Sequence, residues 1–358
     1  QGSLIETYKP IPIEDYKNVG CLSPFSRMVD DPFCTIQLIR GCRMKCTFCG
    51  LSQYRGSNQV CEYPYQVLFE EIRYLAQERG IKHFSWLDED LLAGIDEVKA
   101  ILRLIIEHKL DITWSAPTGL ITVYIDEELL DLMARSGCIG FRVGIESGNA
   151  QMLRQIRKPG TLPGFRKISK LLSRYPFFVV GLYMLGFENE TYGQMFDTLN
   201  FSMEMNISWA HFSVYQEIQE TNLKARSVKD YRDWLPSPEK VTGASQSHAS
   251  STRLTGKDVF ALPRNEIHSP KLKQEIWFAF NLIANYLCNK NLKPGGNIGD
   301  FMRWTNGLQM TYPKHPVISL FLSIGYYLNE DYQDSTRQYI KTLYNLETSE
   351  YWRNRFEG

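Results

Sequence analysis

The chain has 358 residues, of which 43% are hydrophobic, enough for one large domain or for a barrel with a smaller appendage. Its 40 basic and 40 acidic residues give a formal net charge of zero, which argues against a nucleic-acid partner bound through phosphates. No apolar run reaches the roughly 20 residues of a membrane helix, and no signal peptide is evident. We therefore expect a cytoplasmic protein, in which the eight cysteines are better explained as metal ligands than as disulfides.

The first part of the chain, residues 1–34, is irregular and contains four prolines, so we interpret it as an N-terminal strap. Strand and helix patterns then alternate. The predicted strands are 35–41, 83–87, 112–116, 138–145, 177–185 and 209–216, and the predicted helices between them are 63–79, 95–108, 126–136, 164–173 and 191–205. Six such units predict an α/β fold, a partial (β/α)6 TIM-like barrel with a parallel sheet over residues 35–226.

The alternation stops near residue 226, and residues 227–358 have a different character. They begin with a long segment rich in Ser, Thr, Pro and Gly that we interpret as a lid loop or a boundary. Helical patterns follow at 271–289, 316–327 and 334–344. We therefore expect a helical C-terminal extension, whose many aromatic residues either line an apolar pocket or form ordinary core.

Three cysteines, Cys42, Cys46 and Cys49, are spaced C-x3-C-x2-C directly after the first predicted strand. Three thiolates suit a [4Fe-4S] cluster, and with only three protein ligands one iron stays open for a substrate or cofactor. A structural zinc site is the alternative, with Cys34 or Cys61 as the fourth ligand. The C-terminal ends of barrel strands carry active sites, and this position favours the cluster.

The segment TIQLIRGCRMKCTFC (35–49), with an aromatic residue before its last cysteine, resembles the signature of radical S-adenosylmethionine (SAM) enzymes. The similarity extends over roughly residues 33–220, through FSWLDEDL (84–91), ITWSAPTGL (112–120), 126–153 and 179–216. These segments are similar to the branch of anaerobic magnesium-protoporphyrin cyclase and the cobalamin-type radical SAM methylases. The resemblance implies a radical SAM oxidoreductase whose reduced cluster cleaves SAM to a 5′-deoxyadenosyl radical that abstracts a substrate hydrogen.

Two departures from that branch bear on the reaction. About thirty residues precede the first strand, too few for the N-terminal cobalamin domain that many members carry, unless the sequence is a fragment. The loop after the fifth strand reads GFENET (186–191) and lacks the proline usual in the family. We therefore expect hydrogen abstraction from a large, mostly apolar small molecule, such as oxidation or hydroxylation of a methyl group on a bacteriochlorophyll-type tetrapyrrole. A cobalamin-dependent methyltransferase fragment and an enzyme of lipid or antibiotic biosynthesis are the alternatives.

The resemblance also implies roles for individual residues. The cluster ligands, counted as both metal-binding and catalytic, are Cys42, Cys46 and Cys49. The implied SAM-binding residues are Phe48, Gly50, Ser115, Glu146, Ser147, Gly186 and Gln216. For Glu146, a salt bridge to Arg142 or Arg154 is the structural alternative. A flavodoxin or ferredoxin is the expected electron donor.

Candidate substrate contacts are Asp88, Tyr183, His211 and Tyr215. The acidic residues Asp88, Glu89 and Asp90 have a helix cap as their alternative, and a single strand histidine is more often structural than functional. The remaining cysteines, Cys21, Cys138 and Cys288, show no spacing for a second cluster, so no auxiliary cluster is expected.

Overall fold

The computed structural model describes residues 4–18, 23–51, 59–216 and 256–356. The strands are β1 (Phe33–Ile36), β2 (Ile39–Arg40), β3 (Cys61–Glu62), β4 (His83–Trp86), β5 (Thr113–Leu120), β6 (Cys138–Glu146), β7 (Phe178–Leu185) and β8 (Trp209–Val214). The helices are α1 (Ile5–Tyr8), α2 (Tyr65–Glu78), α3 (Ile95–Glu107), α4 (Glu127–Arg135), α5 (Ala150–Gln155), α6 (Leu162–Leu172), α7 (Tyr192–Glu204), α8 (Gly256–Phe260), α9 (Lys273–Leu282), α10 (Ile298–Thr311), α11 (Pro316–Leu328), α12 (Tyr332–Glu347) and α13 (Glu350–Phe356). Cys21 and the predicted lid lie outside the described residues.

The main sheet has six strands in the order β1-β4-β5-β6-β7-β8, and every pair is parallel. Helices connect each strand to the next, as parallel neighbours require. The predicted α/β class and the partial (β/α)6 barrel are therefore confirmed, together with the helical C-terminal region. All six strands point their C-terminal ends at one edge of the sheet, which we call the C-terminal edge.

The first strand differs from the prediction of one strand over 35–41. β1 begins directly after Pro32, whose carbonyl accepts the amides of Lys82 and His83, and its ladder with β4 ends at Ile36. The chain then turns away from the sheet, and residues 39–40 pair antiparallel with β3 instead. The predicted strand is thus two short strands. The acidic residues after β4 accept hydrogen bonds from the backbone amides that follow Ile36, so these amides do not pair within the sheet.

The third strand of the barrel also departs from the prediction, which ended it at residue 116. β5 continues through Pro117 to Leu120, with register shifts against β6 on either side of Ala116. Proline lacks an amide hydrogen, so it is tolerated where the ladder is already irregular. Ser115 therefore lies in the lower half of this strand and not at its end.

Two apolar cores lie on the two faces of the sheet. The larger one packs the sheet against α2–α7, with Phe141 and Val143 of β6 among its members. The smaller one lies on the concave face, which we call the lumen, where Phe178 stacks on Trp304 of α10 at a ring distance of 4.7 Å. The C-terminal region therefore packs across the bottom of the lumen.

One helix of that region, α10, was not predicted. Its sequence contains Gly299 and Gly307, which lower helix propensity. Gly307 nevertheless suits the packing, because a Cβ there would crowd the Arg27 side chain, which also donates to the Gly307 carbonyl at 3.2 Å. None of the described helices is long and apolar enough to span a membrane.

Within the residues that the structure describes, no strand lies beside the outer edge of β8, and side chains of the C-terminal region bond to it instead. Asn285 pairs with both backbone groups of Ala210, at 2.7 Å and 2.6 Å. Trp277 donates to the carbonyl of Phe212 at 2.7 Å, and Asn289 donates to that of Ser208 at 3.2 Å. The C-terminal region is thereby bound to the barrel through backbone groups of three alternate residues.

Candidate active site

The cysteine segment lies at the C-terminal edge of the sheet, with Cys46 buried and Cys42 and Cys49 half-buried. Its backbone is held locally, because the amide of Met44 donates to the Cys42 sulfur at 3.4 Å and that of Cys49 donates to the Cys46 carbonyl at 3.2 Å. Burial raises the pKa of Cys42 to about 11, and Asp90 and the other two thiols add to this effect. The three thiols are therefore close enough to influence one another electrostatically.

The acidic residues after β4 hold this segment in place. Asp88 is fully buried and its Oδ1 accepts the backbone amides of Leu38, at 2.9 Å, and Ile39. The next residue, Glu89, accepts the amide of Gly41 at 2.9 Å. Asp88 was expected to contact substrate; its side chain instead lies beneath the cysteine segment and supports it.

The third acidic residue, Asp90, lies beside the cluster loop itself. It is fully buried, its Oδ2 lies 3.8 Å from the Cys42 sulfur, and its Oδ1 has no partner. Burial raises the pKa of Asp90, and the positive charge of Arg43 partly opposes this. A charged ligand bound nearby would therefore strongly change the free energy of the ionised Asp90 carboxylate.

Glu146 ends β6 and forms a buried ion pair with Lys158, with 2.9 Å between Nζ and Oε1. The predicted alternatives, Arg142 and Arg154, are not its partners. Glu146 has a φ of +69°, which is unusual for a residue with a side chain, and such backbone strain is concentrated at functional sites. The pair thus adds two opposite charges to the C-terminal edge.

Sequence reasoning missed Lys158, although the structure places it against the cysteines. Burial lowers its pKa, but the charges of Glu146 and then Cys46 outweigh that effect and the net pKa is raised. A Cβ on Gly144 would come within 2.5 Å of the Lys158 amine, so this glycine provides the space for the pair. The only local indication was a basic residue directly before the Pro159-Gly160 turn. Because Lys158 is not close to Glu146 in sequence, the ion pair could not be predicted from it.

An aromatic row crosses the same edge and joins several predicted cofactor residues. Phe48 of the cysteine segment lies 5.8 Å from Phe187, whose ring lies 5.3 Å from Tyr215 at the end of β8. Gly50 is buried beside Phe48, and Gln216 is exposed just after Tyr215. The structure therefore brings the first, fifth and sixth barrel loops together, as adenine binding by these loops would need.

The loop after β7 is closed by its own glutamate. Glu190 is fully buried, and its Oε2 accepts the amides of Gly186 at 2.6 Å and Phe187 at 3.1 Å. Burial raises the pKa of Glu190 to about 7. Asn189, with a φ of +60°, adopts the left-handed conformation that this turn requires, which asparagine tolerates better than most residues.

Residues from the C-terminal region complete that loop. Lys273 donates to the carbonyl of Gly186 at 2.9 Å, and His268 bonds the carbonyl of Glu190 at 2.8 Å. The predicted cofactor residue Gly186 is thus covered by a lysine that lies nearly ninety positions away in sequence.

Three other predicted site residues have side-chain partners within the fold, and Ser115 and Tyr183 lie away from this edge. Ser115 bonds His83 at 3.0 Å inside the lower lumen, and Ser147 bonds Thr198 of α7 at 3.2 Å. Tyr183 is fully buried on the helix side of the sheet, where it stacks on Phe212. Each of these three side chains therefore has a structural partner. Their predicted roles in SAM or substrate binding would require them to face the C-terminal edge.

The alternative of a zinc site receives little support. Within the residues that the structure describes, no three His, Cys, Asp or Glu side chains converge to hold a single metal ion. Cys34 belongs to the larger core and Cys61 is exposed on β3, so neither lies in the cysteine loop. Thiolates of a four-iron cluster bind different irons and need not converge on one point, so the loop fits a cluster better than one zinc ion.

Comparison with known proteins agrees with this geometry. The sequence profile of the Radical SAM superfamily matches residues 36–202. An uncharacterized methyltransferase of Pyrococcus horikoshii is 28% identical over 62% of this chain and 47% of its own length. Cytidylyl-2-hydroxyethylphosphonate methyltransferase of Streptomyces wedmorensis is 28% identical over 53% of the chain and 36% of its own length. Anaerobic magnesium-protoporphyrin IX monomethyl ester cyclase of Rubrivivax gelatinosus is 23% identical over 60% and 40%.

Residues 36–202, just under half of the chain, thus match the radical SAM superfamily, in which a [4Fe-4S] cluster and SAM are the cofactors. The relatives are a cyclase and methyltransferases, in agreement with the branch that the sequence predicted. The chain spans less than half the length of these relatives. The residues that fit the cluster are Cys42, Cys46 and Cys49, because their thiols share one loop at the edge where the aromatic row and the Glu146–Lys158 pair also lie.

Proposed function

We propose that this radical SAM enzyme abstracts hydrogen from an unactivated C–H bond of a large, mostly apolar substrate. When bound, the cluster and SAM would supply a 5′-deoxyadenosyl radical. The single observation that carries the proposal is the cysteine loop at the C-terminal edge, beside the Glu146–Lys158 pair and Phe48. The protein's own part is to hold both cofactors and to orient the substrate below them.

The two charged groups beside the loop suit the amino acid part of SAM, which has an ammonium and a carboxylate group. Lys158 can attract the carboxylate and Glu146 the ammonium, and both already lie at the Cys46 side of the site. The half-buried rings of Phe48 and Tyr215, which pack on the buried Phe187, are suited to contact adenine. Glu146, Phe48, Gly50, Gly186 and Gln216 are therefore kept as proposed SAM contacts.

We test the cluster assignment with anaerobically reconstituted protein, reduced and supplied with SAM. The wild-type chain should hold about four irons and release 5′-deoxyadenosine. Cys46→Ala should lose the iron and the cleavage, whereas Cys61→Ala, which removes an exposed thiol of β3, should keep both. A Cys46→Ala variant that still formed 5′-deoxyadenosine would refute the ligand assignment.

A tetrapyrrole of the bacteriochlorophyll type is the proposed substrate class, and oxidation or hydroxylation of a ring methyl group is the proposed reaction. The similarity to the magnesium-protoporphyrin cyclase supports this choice. The expected result is that a tetrapyrrole raises 5′-deoxyadenosine formation and yields a product heavier by one oxygen atom. Unchanged 5′-deoxyadenosine formation with tetrapyrroles that differ in their ring substituents would rule this class out.

Methyl transfer is the second candidate, because two of the three reported relatives are methyltransferases. It predicts S-adenosylhomocysteine beside 5′-deoxyadenosine and a product heavier by one methylene group, both only when cobalamin is added. A flavodoxin or ferredoxin would supply the electron in either case. Mass spectrometry of the product separates the two reactions in one experiment.

A further inference from the structure

Two basic side chains on the walls of the lumen are not explained by the cluster or by SAM. Arg142 of β6 shares its face of the strand with Gly140, which packs against Phe25 of the smaller core, and this face lines the lumen. His211 of β8 shares its face with Trp209, which belongs to the same core. Both side chains therefore point into the lumen.

The strand register places the two residues near one another. Val180 of β7 pairs with both Arg142 and Trp209, and Leu182 pairs with His211. His211 thus lies one layer closer to the C-terminal edge than Arg142, across β7. The positive charge of Arg142 also lowers the pKa of the imidazole ring, in agreement with their places on neighbouring strands.

Arg142 has no counter-charge in the described part of the chain. Its Nε is buried without a hydrogen-bond partner, and burial lowers the guanidinium pKa with no carboxylate to offset it. A half-buried cation without a partner costs free energy, and such groups normally pair with an anion. By contrast, the buried amine of Lys158 is fully paired with Glu146.

His211 is accessible to water although it lies on a strand of the sheet. Desolvation by the neighbouring strands, and then the charge of Arg142, lower its pKa below the ordinary value, so the ring is neutral at pH 7 and can donate one N–H. A guanidinium and a neutral imidazole N–H together make a donor set for oxygen anions. Such a site would accept a carboxylate or a phosphate equally well on chemical grounds.

We propose that Arg142 and His211 bind an anionic group of the substrate, a carboxylate or a phosphate, inside the lumen. This inference rests on the proposed function, which places the reacting C–H bond near the cysteine loop. Four residues separate Arg142 from Glu146 along β6, a distance of roughly 13 Å at about 3.3 Å per residue. Gly144, which lacks a side chain, lies between them on the same face. The anion would therefore anchor the far end of a substrate whose apolar body extends toward the SAM site.

The test uses thermal melting of the anaerobically reconstituted holoenzyme, with sodium phosphate or sodium propionate added at constant ionic strength. Ligands that bind only the folded state raise its melting temperature. We expect a rise of about 2–4 °C for the wild-type chain with at least one of the two anions. A rise with phosphate alone assigns the site to a phosphate group, and a rise with propionate alone assigns it to a carboxylate. No rise with either anion would overturn the proposal.

Variants then locate the site. Arg142→Met should abolish the rise and, without added anion, should melt no lower than the wild-type chain, because it removes an uncompensated charge. Arg142→Lys should retain part of the rise, and His211→Ala should reduce it by about half, since one of two donors is lost. Arg337→Met, which removes an exposed arginine of α12, should leave the rise intact.

Two outcomes with Arg142→Met would overturn the proposal: an undiminished rise, or a melting temperature far below that of the wild-type chain without anion. The second outcome would mean that the guanidinium is a structural group. Iron content and 5′-deoxyadenosine release of the wild-type chain are measured in parallel. Their absence would count against the proposed function, whereas the shift in melting temperature with added anion tests the lumen site independently.

Discussion

Two loops at the C-terminal edge are built in the same way but are supported from different parts of the chain. In the cysteine loop, Asp88 accepts the amides of Leu38 and Ile39; in the loop after β7, Glu190 accepts those of Gly186 and Phe187. In both carboxylates the second oxygen is buried without a partner. The cysteine loop is thus held by residues within the matched superfamily segment.

The loop after β7 also depends on Lys273 and His268 from the C-terminal region. The difference is that the cysteine loop is held by barrel residues, whereas the loop after β7 is also held by the C-terminal region. If the proposed SAM contacts are correct, cluster binding and adenine positioning should therefore be separable. Substitutions in the two loops should therefore affect different measurements.

The largest effect is expected for Asp88→Ala, which leaves the amides of Leu38 and Ile39 buried without an acceptor. Each lost acceptor costs about 1–3 kcal/mol, so the free energy of unfolding should fall by about 4 kcal/mol. Iron content after reconstitution should fall with it, because these amides begin the cysteine segment. Chemical denaturation and iron analysis test this, with Asp111→Ala, an exposed partner of Lys82, as the control. Wild-type iron content in Asp88→Ala would show that the cysteine loop needs no such support.

The next largest effect is a pH dependence of stability from Glu190. Its pKa is raised from an ordinary 4.5 to about 7, so the folded state binds a proton that the unfolded state releases between these pH values. Stability from this group is therefore present at low pH and lost as the pH rises to 7. At about 1.4 kcal/mol per pKa unit, the loss is about 3 kcal/mol.

Glu190→Gln should remove that loss, because a neutral side chain of the same shape still accepts both amides. Relative to the wild-type chain, it should gain about 3 kcal/mol between pH 5 and pH 8, as measured by denaturation at each pH. Glu188→Gln, an exposed neighbour, should show no such gain. Parallel pH profiles for Glu190→Gln and the wild-type chain would contradict the prediction.

A smaller effect is expected for Lys273→Met, which removes the hydrogen bond to Gly186 and a positive charge near Glu190. Stability should fall by about 1 kcal/mol, and the midpoint of the Glu190 pH profile should move upward. Iron content should not change, and SAM should bind more weakly. Lys271→Met, an exposed substitution just before α9, is the matched control. Loss of iron in Lys273→Met would contradict the separation of the two loops.

The sequence predicts the barrel well because the strand and helix periods repeat six times, and it predicts the cluster because its ligands lie within eight positions. It fails where long-range contacts decide the structure. The chain after Ile36 leaves the sheet because Asp88 accepts the amides of Leu38 and Ile39. Helix α10 forms despite Gly299 and Gly307 because it packs against the barrel.

The site shows the same division. Phe48 and Glu146 were predicted from the family resemblance, whereas Lys158 and Lys273 reach this edge only through tertiary folding. Ser115 was expected near a strand end because the predicted strand stopped at residue 116, but the strand continues to Leu120. A pairing between distant residues leaves no periodic signal in one sequence, so no inspection of local patterns would have found it.

The asparagine and tryptophan side chains along β8 have one more consequence, which concerns solubility. Unprotected edge strands are templates for pairing with other chains. A shortened version of the protein that ended before α9 would expose the backbone groups of Ser208, Ala210 and Phe212, and we expect it to aggregate edge to edge even if its barrel folded. Any attempt to isolate the barrel for cluster studies should therefore retain Trp277, Asn285 and Asn289.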